Sequence, residues 1–375
     1  MRSIRHITGR VFPKRMPLHM LLLALVLTCI GAAFIRSAHH ATYAYKHLVF
    51  AGIGCVAFVA LSLFDYRHLR GIALPLYGAG VLALAGLPFL GVVVNNARRW
   101  YDLGLFHAQP SEPMKYLLVI ALADYFRMRP RRERLRDMPL PLALTVVPML
   151  LIVIQPDFGT ALILLPVFFG MAFLGGVKLR NLAVLAAGGC VLLGAAWLTP
   201  GALKDYQKER VMGFIDPGRN PDTPAAYNAR QATIAISAGG LKGQGWGQGV
   251  LNRLGRVPER HTDFIFPVVA EEWGFVRTVP VIFLYLLVVF VLAQLARTTR
   301  EPFGRLLIGG VLIVFAVQSL LHMAISLRLA PITGLTLPLI SYGGSSLVST
   351  YAGLGLAASV RMHRSVVFAG DEPSG

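Results

Sequence analysis

The sequence is poor in charge. Only 14% of its 375 residues are Asp, Glu, Lys or Arg, against roughly 25% in soluble domains. With 55% hydrophobic residues and a mean hydropathy of +0.61, that deficit excludes an ordinary soluble domain and points to a polytopic membrane protein. Acidic residues are the scarcer sign: 18 against 36 basic, a formal net charge of +18. In a soluble chain this excess suggests nucleic acid. Here arginines in cytoplasmic loops account for it, and no nucleic-acid partner is expected. Cysteine is nearly absent. Cys29, Cys55 and Cys190 are odd in number, lie in apolar runs and have no CxxC spacing, so packing is expected rather than disulfides or a metal site. No Ser–His–Asp arrangement, Walker loop, HExxH or internal repeat is evident. No small-residue cleavage site follows the basic, then apolar, N-terminus, so the first apolar run reads as a retained span.

What is present is a series of apolar runs. A spanning helix needs roughly 17–25 mainly apolar residues. Ten candidates occur, at 18–35, 47–64, 71–94, 113–126, 140–154, 160–177, 182–198, 264–296, 306–325 and 347–361. The expected fold is an all-α integral membrane protein with about ten transmembrane helices. The run 264–296 is too long for one straight span, so a surface or bent portion is expected within it. Lys and Arg set the orientation. Arg2, Arg5, Arg10, Lys14 and Arg15, the cluster Arg127 to Arg136, and Arg297, Arg300, Arg305, Arg361 and Arg364 all fall on one side if the N-terminus is inside. An even number of spans then puts the C-terminus inside as well. The expected organisation is a cytoplasmic segment 1–17, a membrane domain 18–364 and a cytoplasmic tail 365–375. A large extracytoplasmic loop, 199–262, separates the seventh and eighth helices.

This topology puts four polar stretches on the outer side: 95–115, 155–160, 199–262 and 326–346. The long loop is basic, with Lys204, Lys208, Arg210, Arg219, Arg230, Lys242, Arg253, Arg256 and Arg260 outnumbering its five acidic residues. Either a long loop escapes the charge rule, or an anionic ligand is held at the outer surface.

The candidate residues lie in these stretches. Arg98 and Arg99 beside Trp100 could grip phosphate in a fork and stack on a sugar face, or merely anchor at the interface. Glu112 and Lys115 are three apart on a helix that Ser111 and Pro113 can start, so they can pair facing a polar cavity. Asp157, in Gln155-Pro156-Asp157-Phe158-Gly159-Thr160, is either a cap for the next helix or an inward polar group. Asp263 ends the run Arg260-His261-Thr262-Asp263 just before an apolar helix. It is a helix cap or a general base. At least one of Glu271 and Glu272, two turns on, should point into the bundle. In Ser341-Tyr342-Gly343-Gly344-Ser345-Ser346, glycines and serines could present amides to phosphate or pack helices closely.

The motifs ARRW, QPSE with Lys115, QPDFGTA, RVMGFIDP, LKGQGWGQG, PERHTDFIF with EEWGF, and PLISYGGSS occur in this order. Together they resemble the SEDS family of peptidoglycan polymerases, which comprises RodA, FtsW and SpoVE, over about residues 18–364. The resemblance implies a ten-helix glycosyltransferase of the bacterial cytoplasmic membrane. It would polymerise lipid II into β-1,4 glycan with release of undecaprenyl pyrophosphate. Asp263 matches the family's essential aspartate, with Arg98, Arg99 and Trp100, the pair Glu112 and Lys115, and Asp157 at its other motif positions. Arg210, Lys242, His261, Ser341 and Ser345 are the expected further substrate contacts, and Glu271 and Glu272 line the cavity. No cofactor is fixed, and a divalent cation (Mg or Mn) is left open. The implied partners are lipid II and undecaprenyl-linked glycan, a class B penicillin-binding protein, elongation proteins such as MreC and MreD, and membrane lipids. PERHTDFIF leans toward RodA and cell elongation, whereas GLTLPLISYGGSS leans toward FtsW and division. The rivals are a lipid flippase and a non-catalytic scaffold for a transpeptidase. His322-Met323-Ala324 replaces the usual Asn-Ile-Gly, Gln244 interrupts a Gly-Lys-Gly element, and Arg328 stands where a small residue is common. These departures bear on helix packing and partner contacts.

Overall fold

The computed structural model describes residues 17–94, 97–104, 106–128, 135–201, 205–216, 224–257 and 259–363. Expectations that rest on the basic N-terminus, Asn96, residues 129–134, Lys204, residues 217–223, Pro258 and the tail lie outside the described residues.

Every expected apolar run forms a helix. The first group is α1 (Leu18–Ala38), α2 (Ala41–Leu63), α3 (Leu69–Leu90), α4 (Ser111–Arg127), α5 (Pro139–Ile154), α6 (Phe158–Leu174) and α7 (Leu179–Leu198). The outer loop then holds α8 (Asp205–Ile215), α9 (Pro224–Gly239) and α10 (Val250–Arg253), followed by α11 (Ile265–Thr298), α12 (Pro302–Ser326) and α13 (Gly344–Met362). Among the described residues, six helices are long and apolar enough to cross a membrane, and α5 and α6 are shorter apolar helices. The protein is a multi-pass membrane protein.

Two local expectations change. The third run does not stay helical to Val94. After Gly91, the β-branched Val92–Val94 forms strand β1, as such residues favour. It pairs antiparallel with β2 (Ala97–Asp102), which pairs in turn with β3 (His107–Ala108). The outer loop, read only as a polar connection, is largely helical among its described residues.

The long eighth run is bent as expected. Within the 34-residue α11, Gly274 takes φ 69 and ψ −178. A Cβ there would lie 2.1 Å from the amide nitrogen of Gly243, so glycine lets the outer loop press into the bend. α12 runs through the interior, burying Phe303, Leu307, Ile308, Val311, Val314 and Phe315. α2 and α13 approach closely because Gly355 has no side chain: a Cβ would sit 2.7 Å from the Phe58 carbonyl oxygen. Small residues do this wherever membrane helices touch. Outward-facing Leu82, Phe89, Leu192 and Leu198 are exposed, as suits a surface bathed in lipid. The cysteines are free, but Cys29 and Cys190 are exposed. The expected packing inside the protein therefore does not apply to those two.

The polar stretches converge at one end of the bundle. Tyr342 N donates to the His261 carbonyl at 2.9 Å, Gln109 Nε2 reaches Asp157 at 2.9 Å, and the Trp246 indole reaches the Ala33 carbonyl at 3.2 Å.

Candidate active site

Asp263 sits in a tight turn at the start of α11. The amides of Thr262 and Phe264 both donate to the Glu259 carbonyl, at 3.1 and 3.2 Å. The broken segment before α13 clamps this turn. Ser341 Oγ donates to the Thr262 carbonyl at 2.6 Å and accepts from Leu337 N at 2.8 Å. Ser341 is buried and its hydroxyl is already committed, so it holds the turn rather than facing solvent. Gly334 passes beside the carboxylate: a Cβ there would come within 3.3 Å of Asp263 Oδ2.

The helix-cap alternative for Asp263 is not what the fold uses. Phe264 holds the cap position of α11, and no side chain caps it. Asp263 is partly exposed, and its carboxylate has no hydrogen bond to any described residue. Its pKa is pushed from 3.8 up to about 7, first by burial and then by Glu259 and Asp157, while Arg99 and Arg210 pull it down. A carboxylate that is enclosed yet reachable, and uncommitted, is suited to move a proton near neutral pH.

Strand β2 separates the two arginines. Successive side chains of a strand point to opposite faces. Arg98 is exposed and folds back to donate to the Pro88 carbonyl at 2.7 Å. Arg99 turns inward, donating from Nε to the Gln155 carbonyl at 3.0 Å and from Nη2 to the Pro156 carbonyl. It thereby ties β2 to the turn that carries Asp157. Trp100 is half-buried opposite Val92.

Both readings of Asp157 hold. Oδ1 accepts from Thr160 N at 3.2 Å, a cap of α6. Oδ2 accepts from Gln109 Nε2 at 2.9 Å and Ser111 Oγ at 3.2 Å. Ser345 joins the same group, accepting from Gln109 N at 2.9 Å. Deeper in the bundle, Lys115 Nζ pairs with Glu112 at 2.8 Å and donates to Gln318 Oε1 at 2.7 Å. Gln318 continues to the Thr336 carbonyl at 3.0 Å. Glu112, Lys115 and Gln318 are all buried, so this is a closed polar network rather than an open path.

Glu271 and Glu272 are both fully buried. Glu271 accepts from the amides of Leu251 and Asn252 at 2.7 and 3.2 Å, holding the start of α10. Glu272 accepts from Asn252 Nδ2 at 2.8 Å, Gly247 N at 3.0 Å and the Ser37 hydroxyl. They fasten the glycine-rich loop to α1 and α11. Lys242 is exposed on that loop, away from the Asp263 turn in sequence and in these contacts. The His261 ring packs against His39 at 4.7 Å, Tyr43 at 5.1 Å and Tyr342 at 5.8 Å between centroids. Burial and His39 hold its pKa below the ordinary value.

Arg210, on α8, lines a cavity of about 440 Å³ with Phe214, Ala229, Ile325, Arg328 and Ile332 among others. Asp263 is not on its wall. Arg210 links the two, because its charge acts on the Asp263 carboxylate. Among the described residues, no group of three or more His, Cys, Asp or Glu is placed to hold a metal. Sequence reasoning missed Gln109, Asn252, Gln318 and Thr336. An uncharged polar residue inside an apolar run, as Gln318 is, was the available signal.

A model of the cell cycle protein family of FtsW, RodA and SpoVE matches residues 14–366. The chain belongs to that family. Peptidoglycan glycosyltransferase MrdB of Escherichia coli (strain K12) is 33% identical over 350 residues, covering 93% of this chain and 94% of the relative. A probable peptidoglycan glycosyltransferase FtsW of Marinobacter nauticus is 36% identical over 347 residues, covering 89% of this chain and 84% of the relative. A solved chain from a peptidoglycan synthase complex, described for coordinating polymerization and crosslinking, superposes with a TM-score of 0.82 at 35% identity. That match covers 93% of this chain and 99% of the other. Thermus thermophilus RodA, a rod shape determining protein, gives 0.69 at 31% identity over 92% of this chain and 96% of its own.

Proposed function

We propose that this SEDS-family chain is a peptidoglycan glycosyltransferase that polymerises lipid II on the outer face of the cytoplasmic membrane, with Asp263 as general base. The observation that carries the assignment is the Asp263 carboxylate itself: uncommitted, partly exposed and poised at about 7. The acceptor lipid II offers a 4-hydroxyl, and the growing glycan carries undecaprenyl pyrophosphate on its anomeric carbon. As the hydroxyl oxygen bonds to that carbon with inversion, its proton passes to Asp263. The bond to the pyrophosphate oxygen breaks, and undecaprenyl pyrophosphate leaves. A base with a pKa near the operating pH suits this transfer and typically supplies about 10²–10⁴-fold. Alignment and charge on the leaving group supply the rest. Arg99 and Arg210 are the cations that already act on the carboxylate.

The closed Glu112–Lys115–Gln318 network argues against a flippase whose path runs between these charges. Likeness to a chain of a peptidoglycan synthase complex supports a crosslinking partner, of the class B penicillin-binding type. The RodA-like PERHTDFIF motif supports a role in elongation. The test is polymerisation of lipid II by purified protein, alone and with such a partner, resolved on a gel. Asp263→Asn is expected to lower glycan synthesis by about 10²-fold or more. Near-parental synthesis by folded Asp263→Asn would sink the base assignment.

A further inference from the structure

The polypeptide leaves α12 through a tight stop. Leu329 N donates to the Ala324 carbonyl at 2.7 Å and Arg328 N to the Ile325 carbonyl at 3.0 Å. This pair of bonds is the Schellman ending of a helix, in which the residue after the cap turns left-handed and is usually glycine. Here that residue is Arg328, with φ 58. An L side chain is disfavoured in this conformation. Such a residue persists when something else over-determines it, and these positions gather at ligand clamps. The described protein offers no such return, because the Arg328 guanidinium makes no hydrogen bond or ion pair there. It lines the cavity of about 440 Å³ that Arg210 also lines.

We propose that Arg328 and Arg210 form a phosphate clamp for an anionic lipid headgroup, with the first part of its apolar chain lying on Phe214, Ala229, Ile325 and Ile332. Arg328 and Arg210 bring positive charge to one cavity wall, which favours an anion there. Guanidinium forks match phosphate oxygens in pairs. The remaining wall is mainly apolar, so the complementary ligand is amphiphilic: a phosphate or pyrophosphate bearing a hydrocarbon chain. The volume falls within the roughly 300–1,000 Å³ of ligand pockets. Position adds a function. Arg210 acts electrostatically on Asp263, and the segment that begins at Arg328 reaches the Asp263 carboxylate at Gly334. A headgroup held here would share Arg210 with the proton-transfer site. The clamp rests on the polymerase reading above, which makes the pyrophosphate of the prenyl-linked substrate or product its natural occupant. A glycerophospholipid headgroup has the same chemistry.

Arg328→Gly is the decisive variant, because glycine is the residue this helix ending prefers. It is expected to fold at least as stably as the parent. The protein is placed in phosphatidylcholine nanodiscs and its affinity for undecaprenyl pyrophosphate is measured. Arg328→Gly is expected to bind about tenfold or more weakly, as fits loss of a charge-assisted contact, and to raise KM for lipid II more than it lowers kcat. Arg328→Lys keeps the charge without the fork and should fall between. Nanodiscs with added phosphatidylglycerol identify the source. Competition by phosphatidylglycerol assigns the clamp to bulk anionic lipid, and its absence assigns it to the prenyl pyrophosphate. Parental affinity of Arg328→Gly for both probes, with thermal stability alone altered, would overturn the clamp and leave Arg328 as a charge at a helix end. That outcome is separable from the polymerase reading, which stands or falls with Asp263→Asn whatever Arg328 does.

Discussion

The uncommitted carboxylate makes a stability prediction as well as a catalytic one. In the fold the Asp263 pKa lies at about 7 rather than 3.8, so the folded state holds its proton more tightly than the unfolded chain does. Between those values the folded state binds more protons, and stability falls as pH rises. The loss is complete once pH passes the folded value. Each tenfold in proton affinity is about 1.4 kcal/mol, which sets a ceiling of about 4 kcal/mol. Asp263 is partly solvent-accessible, and screening cuts this to about 1–2 kcal/mol. Asp263→Asn cannot ionise and keeps the side-chain shape. It should therefore melt a few degrees above the parent at pH 8, and the gap should close toward pH 4. Dye-free thermal unfolding of the two proteins in the same detergent, at several pH values, measures this directly. The parent's polymerisation rate should rise through about pH 7 as the base ionises, whereas the variant stays inactive. An Asp263→Asn protein that melts at or below the parent at pH 8 would refute the reasoning. The carboxylate would then be stabilised as an anion in the fold.

Other predictions follow from the polar networks and the bend. Lys115→Met leaves Glu112 buried without its partner, an expected loss of about 3–5 kcal/mol. The double change with Glu112→Gln should recover much of it, as read by thermal unfolding of both variants. Gly274→Ala places a Cβ 2.1 Å from Gly243 N. Limited proteolysis should then cut the outer loop faster than in the parent, and equal resistance would show that the bend tolerates a side chain. Leu254 is exposed on the outer loop. In a cysteine-free background, Leu254→Cys should react with an impermeant thiol reagent in intact cells, and labelling only after lysis would invert the proposed orientation.

Much was legible in the residues themselves. Apolar runs fix where helices form, because a backbone inside lipid must satisfy its own hydrogen bonds. All ten runs are helices, and the excess length of the eighth is taken up by the bend at Gly274. The motif order gave the family, and the pairing of Glu112 with Lys115 followed from helical spacing alone. The strand Val92–Val94 and the helices of the outer loop were not legible. Short segments at a membrane surface take their structure from what they pack against rather than from periodicity.

The site divides in the same way. Sequence offered Arg98 and Arg99 as equals, and only the pairing of β2 turns Arg99 inward onto the Gln155 and Pro156 carbonyls. It left Asp157 and Asp263 as caps or functional groups. The fold makes Asp157 both cap and hub, and leaves Asp263 uncapped and open. Ser341 looked like a phosphate contact and is a clamp on the Asp263 turn. The pKa of Asp263 is set by enclosure and by Glu259, Asp157, Arg99 and Arg210, two of which, Asp157 and Arg99, lie more than a hundred residues away in sequence. A chain encodes its helices locally. The state of one carboxylate depends on charges and surfaces that meet only when those helices pack.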